Sequence, residues 1–215
     1  MKIAKGGLSW IIPFFLITIS FIFLTFYTNG MLKYVAYSLS ILSLFISLVL
    51  LLFFRDPHRK IGNGIVAVAD GVIREIVKVD DEDVGASTKI STFMNIHNVH
   101  VNRMPTDGEI KDIIHHKGAH TPAFKKESEK NERVTILIKT GIGIIKIVQI
   151  AGILARRIVP YVKKGDTVKK GGKIGIIRLG SRVDVYLSTK KIKSINVKAK
   201  DRIKAGEDTI AEIYD

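Results

Sequence analysis

The chain has 215 residues, with 34 Lys and Arg against 20 Asp and Glu and no Cys. Without Cys, disulfides, thiolate metal centres and a thiol nucleophile are excluded. Residues 1–54 contain three Lys and no acid, so the other 31 basic and all 20 acidic residues give residues 55–215 a formal charge of +11. The apolar residues are placed as unevenly as the charges, which excludes a purely soluble globular protein.

Two uncharged apolar segments open the chain, at residues 8–27 and 35–54. As helices, each reaches about 30 Å, the thickness of a hydrocarbon core. A cleaved signal peptide has a shorter apolar region and leaves the second segment unexplained. Neither segment carries an ionisable group, as a transport path normally does. We therefore predict a membrane anchor over residues 1–54 and a soluble domain over residues 55–215.

The basic residues around this anchor predict its orientation. The outer ends of the pair carry Lys2, Lys5, Arg55, Arg59 and Lys60. The connecting loop has only Lys33, so the positive-inside rule predicts a hairpin with both ends in the cytoplasm. The predicted location is the cell membrane, with residues 55–215 on the cytoplasmic side.

Residues 55–215 alternate with a period of two, and β-branched residues dominate the alternating runs. These runs lie at residues 66–68, 72–77, 134–138, 174–177 and 183–187. A short helix is predicted at residues 152–157, and loops are predicted at residues 80–83 and 125–133. The domain is therefore predicted to be mostly β.

One sequence element occurs twice. Residues 162–171 (VKKGDTVKKG) return thirty-five positions later as residues 197–206 (VKAKDRIKAG). In each copy Asp opens a turn and Gly takes the tight corner. This element and residues 69–73 resemble parts of biotinyl/lipoyl-type domains. The predicted fold is a mostly-β barrel-sandwich with an N-terminal transmembrane α-hairpin, and no carrier-lysine hairpin is found.

Six histidines are candidates for chemistry. His58 lies in the basic cluster beside the anchor and is predicted to be a surface residue. His115, His116 and His120 lack Cys or ordered carboxylates around them, so an exposed loop is favoured and no metal site is predicted. His97 and His100 stand in a segment dense in polar groups, residues 97–105 (HNVHVNRMP). On a strand their side chains face opposite sides, whereas a turn or bulge lets them converge.

Gly180-Ser181 lies between two strand-like runs. Glycine allows an unusual backbone there, although Gly-Ser alone is a common turn. Five separated motifs occur in order along the chain: residues 54–57 (FRDP), 69–71 (ADG), 97–105, 131–133 (NER) and 179–184 (LGSRVD). Together they resemble the short, mainly prokaryotic form of phosphatidylserine decarboxylase, including its archaeal archaetidylserine relatives. The resemblance runs from about Phe54 to the end, and Arg182 stands where the long forms have Thr.

The resemblance implies self-cleavage between Gly180 and Ser181. Ser181 Oγ attacks the Gly180 carbonyl, and β-elimination and hydrolysis leave a pyruvoyl group at Ser181. This covalent cofactor forms a Schiff base with the substrate amine and accepts electrons during decarboxylation. The products are a large chain, 1–180, and a small chain, 181–215, that form a heterodimer.

The resemblance also assigns roles to other residues. His100 matches the base that activates the serine, and Asp70 matches the carboxylate that orients it, as in other Ser-His-Asp arrangements. His97 matches the second family histidine and is the candidate for protonating the product carbanion. Arg103 is a candidate for binding the substrate's carboxylate or phosphate, on its charge alone. A basic domain on an anchor also suits an anionic serine phospholipid, ester- or ether-linked, as the substrate.

Three alternatives remain from sequence alone. A membrane-tethered β-sandwich without enzymatic activity could bind lipid or a partner through its basic face. A pyruvoyl decarboxylase could act on a soluble amino acid, although the hairpin argues against this. The charge also allows a nucleic-acid binder, against which the hairpin and the few aromatic residues of the domain count.

Overall fold

The computed structural model describes residues 2–118, 131–152, 158–178 and 181–214. The chain divides into two compact units, Met1–His58 and Arg59–Asp215. The first is a helical hairpin and the second is a β domain.

The first unit contains β1 (Lys2–Ile3), α1 (Leu8–Leu24), α2 (Met31–Phe53) and β2 (Arg55–Asp56). The 23-residue α2 is long and apolar enough to cross a membrane, whereas α1 has 17 residues and is shorter than the predicted segment. β1 pairs antiparallel with β2, and Ala4 N–H donates to the Phe54 carbonyl at 2.8 Å. The two outer ends of the hairpin therefore meet on one side.

Small residues form the contact between the two helices. Ala36, Ser40, Ser43 and Ser47 are buried along α2 at spacings of three and four. Ser43 Oγ donates to the Phe14 carbonyl of α1 at 2.7 Å. The outward faces carry exposed large apolar side chains, among them Ile12, Phe15, Ile19, Ile41, Phe45 and Leu48. A helix pair in lipid is expected to place small and polar residues at the contact between the helices and large apolar residues on its outer surface, as seen here.

The second unit is built from short strands. They are β3 (Ile65–Val66), β4 (Gly71–Asp81), β5 (Gly85–Met94), β6 (Val101–Arg103), β7 (Gly108–His116), β8 (Arg133–Thr140), β9 (Gly143–Ala151), β10 (Ile158–Pro160), β11 (Thr167–Val168), β12 (Lys173–Ile177), β13 (Ser181–Ser188), β14 (Ile192–Ile195), β15 (Arg202–Ile203) and β16 (Thr209–Ile213). The prediction of a mostly-β domain is confirmed.

The strands form one large and two small sheets, and all pairs are antiparallel. The large sheet has eight strands in the order β11-β7-β8-β9-β13-β5-β4-β15. The small sheets have the orders β10-β12-β6 and β14-β16-β3. One core cluster takes buried apolar side chains from all three sheets. The finer prediction, a biotinyl/lipoyl-type barrel-sandwich, stays a prediction.

Two predicted loops differ from the structure. His115 and His116 lie in strand β7, and the acidic run begins inside β4, which ends at Asp81. Both strands carry many polar, partly exposed side chains, which hides the period-two pattern. His120, residues 153–157 of the predicted helix and residues 125–130 of the predicted loop lie outside the described residues.

The repeated sequence element is a repeated structure. Lys163 N–H donates to Asp166 Oδ2 at 2.9 Å, and thirty-five positions later Lys198 N–H donates to Asp201 Oδ2 at 2.9 Å. The strand that follows each turn pairs with the start of a long strand, β11 with β7 and β15 with β4. Those long strands also repeat, since residues 107–113 (DGEIKDI) match residues 70–76 (DGVIREI). The sequence analysis found only the first of these two repeats.

Candidate active site

Ser181 is the first residue of β13 and lies between two strands of the large sheet. It pairs with Met94 of β5 on one side and with Ala151 of β9 on the other. Its side chain is fully buried, and Oγ donates to Met94 Sδ at 3.2 Å. A thioether is a weak acceptor, so the hydroxyl is held in a dry site by a weak bond. Gly180 lies outside the described residues.

A chain of buried polar groups supports this site. Gln149 Nε2 donates to Asn102 Oδ1 at 2.7 Å, and Asn102 Nδ2 approaches Met94 Sδ at 3.8 Å. Gln149, Asn102, Met94 and Ser181 are all fully buried. Buried amides are retained in folded proteins when they have partners, so the network fixes the groups beside Ser181. The sequence analysis missed Gln149, although an amide inside an apolar strand is a readable signal.

Asn131 fixes the strand next to Ser181. Its Nδ2 donates to the Ala151 carbonyl at 2.7 Å, and Ala151 is the register partner of Ser181. The side chain is fully buried. The Asn of residues 131–133, which the sequence analysis used only as a motif, thus acts on the backbone at the end of β9.

The two motif histidines lie in different environments. Residues 95–98 form a turn in which Asn98 N–H donates to the Asn95 carbonyl at 2.9 Å. His97 is exposed within this turn, whereas His100 is fully buried. His100 Nδ1 lies 2.9 Å from the Asn98 carbonyl oxygen. A proton on Nδ1 makes this contact a hydrogen bond and leaves Nε2 as the basic nitrogen.

Asp70 is buried, and both of its oxygens accept hydrogen bonds. Oδ1 accepts from Ala205 N–H at 2.7 Å, and Oδ2 accepts from Arg59 Nη2 at 2.7 Å. The Arg59 side chain is only 7% exposed. The sequence analysis counted Arg59 among the basic residues flanking the anchor, but the structure buries it in an ion pair. Its partner lies eleven positions away, which a charge pattern does not reveal.

Backbone bonds bring the segments of Asp70 and His100 together. Arg103 N–H donates to the Val68 carbonyl at 2.8 Å, and Val66 N–H donates to the Pro105 carbonyl at 3.0 Å. The segment that ends at Asp70 thus runs antiparallel to the segment that begins after His100. These bonds place the residues just before Asp70 beside the residues just after His100.

Comparison with known proteins shows the family of this chain. A model of the phosphatidylserine decarboxylase family matches residues 46–211, more than half of the chain. The chain belongs to the phosphatidylserine decarboxylase family. A protein of Methanococcoides burtonii that bears the name of an archaetidylserine decarboxylase proenzyme is 40% identical over 213 residues, 98% of this chain and 96% of its own. The phosphatidylserine decarboxylase proenzyme of Streptomyces avermitilis is 42% identical over 188 residues, 87% of this chain and 83% of its own.

Arg103 makes a buried hydrogen bond to the backbone of the first repeated turn. It is buried, and Nη1 donates to the Gly171 carbonyl at 3.0 Å. Gly171 has a φ of +76° and occupies the corner of the first repeated turn. The observed bond therefore ties the histidine motif to that turn, and substrate binding by Arg103 stays a prediction.

The other face of β13 presents the remaining polar residues of the LGSRVD segment. Val183 and Val185 point into the core on the same side as Ser181, whereas Arg182 and Asp184 alternate to the opposite side. That side has a cavity of about 590 Å³. Its charged and titratable lining residues are Glu82, Asp83, His116, Arg133, Lys146, Arg182, Asp184 and Tyr186.

Asp184 is the most buried charge of this cavity. It is 2% exposed and accepts from Arg182 Nη2 at 3.0 Å. Burial raises the pKa of Asp184, while Arg182, Ser91 and Lys89 act in the opposite direction. Burial also lowers the pKa of His116, with Arg133 and His115 adding to the effect. The cavity therefore holds charges of both signs, on the face of β13 opposite the Ser181 side chain.

Proposed function

We propose that the chain is the proenzyme of a pyruvoyl-dependent decarboxylase of serine phospholipids, which cleaves itself between Gly180 and Ser181. The observation that carries this proposal is the position of Ser181, fully buried at the start of a central strand and within the residues that the family model matches. The names of the relatives, decarboxylase proenzymes, support an enzyme over a non-enzymatic lipid-binding module.

Self-cleavage begins when Ser181 Oγ attacks the Gly180 carbonyl carbon and His100 takes the hydroxyl proton. The peptide C–N bond breaks as the ester C–O bond forms. Loss of the Ser181 Cα proton then breaks the Cβ–Oγ bond and releases the Gly180 carboxylate. The enamine left at position 181 tautomerises, and water converts it to a ketone with release of ammonia. Burial of Ser181 supports this sequence because it keeps bulk water from hydrolysing the ester first.

The surroundings of position 181 fit the group that this cleavage makes. β13 pairs with β5 over residues 181–188 and with β9 over residues 181–186. The new N-terminus therefore stays fixed in the sheet, beside Met94 and Ala151. When formed, the pyruvoyl group supplies a carbonyl that accepts the electron pair left on the substrate carbon when CO₂ departs. We assign Asp70 to orienting the His100 imidazole and His97, exposed at a turn, to returning a proton to the product.

The first unit suits a lipid substrate. The apolar outer faces of α1 and α2 favour a hairpin within the bilayer. The pairing of β1 with β2 keeps the two ends on one side, which we assign to the cytoplasm from the flanking lysines and arginines. The basic charge of the second unit favours the anionic headgroups of that leaflet. We therefore propose that the enzyme acts at the cell membrane as a heterodimer of its own two chains.

The deciding experiment is the intact mass of the full chain after expression, measured under denaturing conditions. We expect two fragments, 1–180 and 181–215, the smaller with a ketone at its N-terminus and one ammonia lost. Ser181→Ala and His100→Ala are expected to stay as single chains. His97→Ala is expected to cleave but to release less CO₂ from lipid vesicles. A wild-type chain that stays uncut contradicts the proposal.

Activity is measured on vesicles that contain either phosphatidylserine or archaetidylserine, with free serine as the control. We expect CO₂ and an ethanolamine lipid from at least one lipid and none from serine. A cleaved protein that acts on serine alone contradicts the lipid substrate but leaves the pyruvoyl mechanism intact.

A further inference from the structure

The repeated turn allows Asp70 to be compared with Asp107, the equivalent carboxylate of the other copy. The comparison shows which contacts of Asp70 serve the turn and which do not. Asp70 Oδ1 accepts from Ala205 N–H at 2.7 Å, and Asp107 Oδ1 accepts from Lys170 N–H at 2.7 Å. Ala205 and Lys170 stand thirty-five positions apart, each directly before the corner glycine of its turn. One oxygen of each carboxylate therefore has the same task, which is to hold the repeated turn.

The second oxygen distinguishes the two copies. Asp107 Oδ2 meets Lys169 Nζ at 3.2 Å, with side chains that are 59% and 84% exposed. Asp70 Oδ2 meets Arg59 Nη2 at 2.7 Å, with side chains that are 9% and 7% exposed. An exposed pair contributes little, whereas a buried pair carries a large desolvation cost. Since the turn at Asp107 forms without a buried cation, the turn does not explain Arg59.

The guanidinium of Arg59 is itself fixed in place. Its Nη1 lies 3.3 Å from Glu207 Oε2, while Nη2 binds Asp70. Glu207 follows the corner glycine of the second turn directly. A planar guanidinium can hold two carboxylates in a defined geometry, which a single ammonium cannot do. Arg59 therefore fixes Asp70 Oδ2 from a position that the second turn determines.

We propose that Arg59 is a positioning residue for self-cleavage, which rests on the function proposed above. It holds the Asp70 carboxylate in one orientation while His100 takes the Ser181 proton. Ala205 N–H and Arg59 each hold one oxygen of Asp70, and we assign the stabilisation of the imidazolium to this carboxylate. Arg59 acts through Asp70.

The experiment measures the rate of self-cleavage in the full chain, synthesised in the presence of detergent and sampled over time on denaturing gels. Arg59→Gln removes the cation. Arg59→Lys keeps the positive charge but not the planar guanidinium that holds two carboxylates. Lys169→Gln removes the equivalent cation of the first turn. We expect Lys169→Gln to cleave within twofold of wild type and Arg59→Gln to cleave at least tenfold more slowly. Arg59→Lys should lie between Arg59→Gln and wild type, at least threefold slower than wild type.

Two further readouts separate positioning from stability. Each variant is also made with Ser181→Ala, so that the thermal midpoint of the uncut chain shows whether it is folded. The CO₂ released per pyruvoyl group in the cleaved fraction of Arg59→Gln should equal that of wild type, because Arg59 is assigned to maturation alone.

The proposal is overturned if folded Arg59→Gln or folded Arg59→Lys cleaves at the wild-type rate. It is also overturned if Lys169→Gln is slowed as much as Arg59→Gln, since the effect is then one of net charge. If Arg59→Gln does not fold, the rate of Arg59→Lys decides. A wild-type chain that fails to cleave refutes the proposed function instead, so the two failures are distinguishable.

Discussion

Lys200 adopts the left-handed backbone conformation that Gly165 adopts thirty-five positions earlier. Its φ is +77°, against +89° for Gly165, and no other described residue except glycines has a positive φ. Both amides bind the long strand next to them, Gly165 N–H to the Ile110 carbonyl and Lys200 N–H to the Ile73 carbonyl, each at 2.8 Å. The second turn therefore keeps the geometry of the first although it lacks the glycine.

We expect Lys200→Gly to stabilise the β domain. A side chain in the left-handed region costs about 1–2 kcal/mol, and the extra freedom of glycine in the unfolded chain cancels part of the gain. The net increase in the free energy of unfolding should be about 0.5–1 kcal/mol. Urea denaturation of the uncut Ser181→Ala chain measures it. Lys198→Gly, in the same turn, is the control and should destabilise, so equal effects of the two changes contradict the explanation.

The two cleavage products should remain together after maturation. The small chain begins with β13, which is paired on both sides, and its Val183, Val185 and Leu187 side chains are buried in the core. β15 and β16 of the same fragment pair with β4 and β3 of the large chain. We expect the fragments to co-elute in gel filtration and to separate only in denaturant. Loss of the small fragment under native conditions contradicts this prediction.

The repeated turn also supplies a control for the role of Asp70. Asp70→Asn keeps an oxygen that can accept from Ala205 N–H but removes the charge, and Asp107→Asn does the same at Lys170. We expect Asp70→Asn to slow self-cleavage by at least 100-fold, in the range of lost acid–base catalysis. Asp107→Asn should cleave at the wild-type rate. Equal rates for the two variants, measured on denaturing gels, show that Asp70 serves only the turn.

The sequence predicts a mostly-β domain because several strands have one face in the core, so that apolar and polar residues alternate along them. Val183 and Val185 alternate with polar residues in β13, and both are buried. β7 escaped prediction because its polar residues, His115 among them, face solvent on a strand that lies near the sheet edge. The resemblance selected Ser181, His100 and Asp70, but not their surroundings.

Those surroundings depend on long-range pairing, which single-residue patterns do not encode. Arg59 meets Asp70, and Gln149 meets Asn102 across forty-seven positions. Comparing the chain with itself more widely finds the second repeat, residues 70–76 and 107–113, and with it the matched pair of carboxylates. The internal duplication therefore indicates, from sequence alone, that Asp70 and Asp107 occupy equivalent positions.

The buried Asp184 makes a prediction about stability and pH. Burial raises the pKa of Asp184 above its usual 3.8, while Arg182 at 3.0 Å opposes the shift. The folded state then binds the proton more tightly than the unfolded state, so the contribution of this group to stability is greatest at low pH. That contribution is lost as the pH rises from about 4 through the folded-state pKa.

Asp184→Asn removes this dependence because an amide does not titrate. The free energy of unfolding of Asp184→Asn minus that of the unsubstituted chain should therefore increase as the pH rises from about 4 and then become constant. Urea denaturation of both uncut chains, in the Ser181→Ala background, at a series of pH values measures the difference. Asp107→Asn is the control, because Lys170 N–H and Lys169 lower the pKa of the exposed Asp107. Its difference from the unsubstituted chain should change only below about pH 4, in the opposite direction, and stay constant at higher pH. A difference for Asp184→Asn that falls or stays flat over this range contradicts a raised pKa at Asp184.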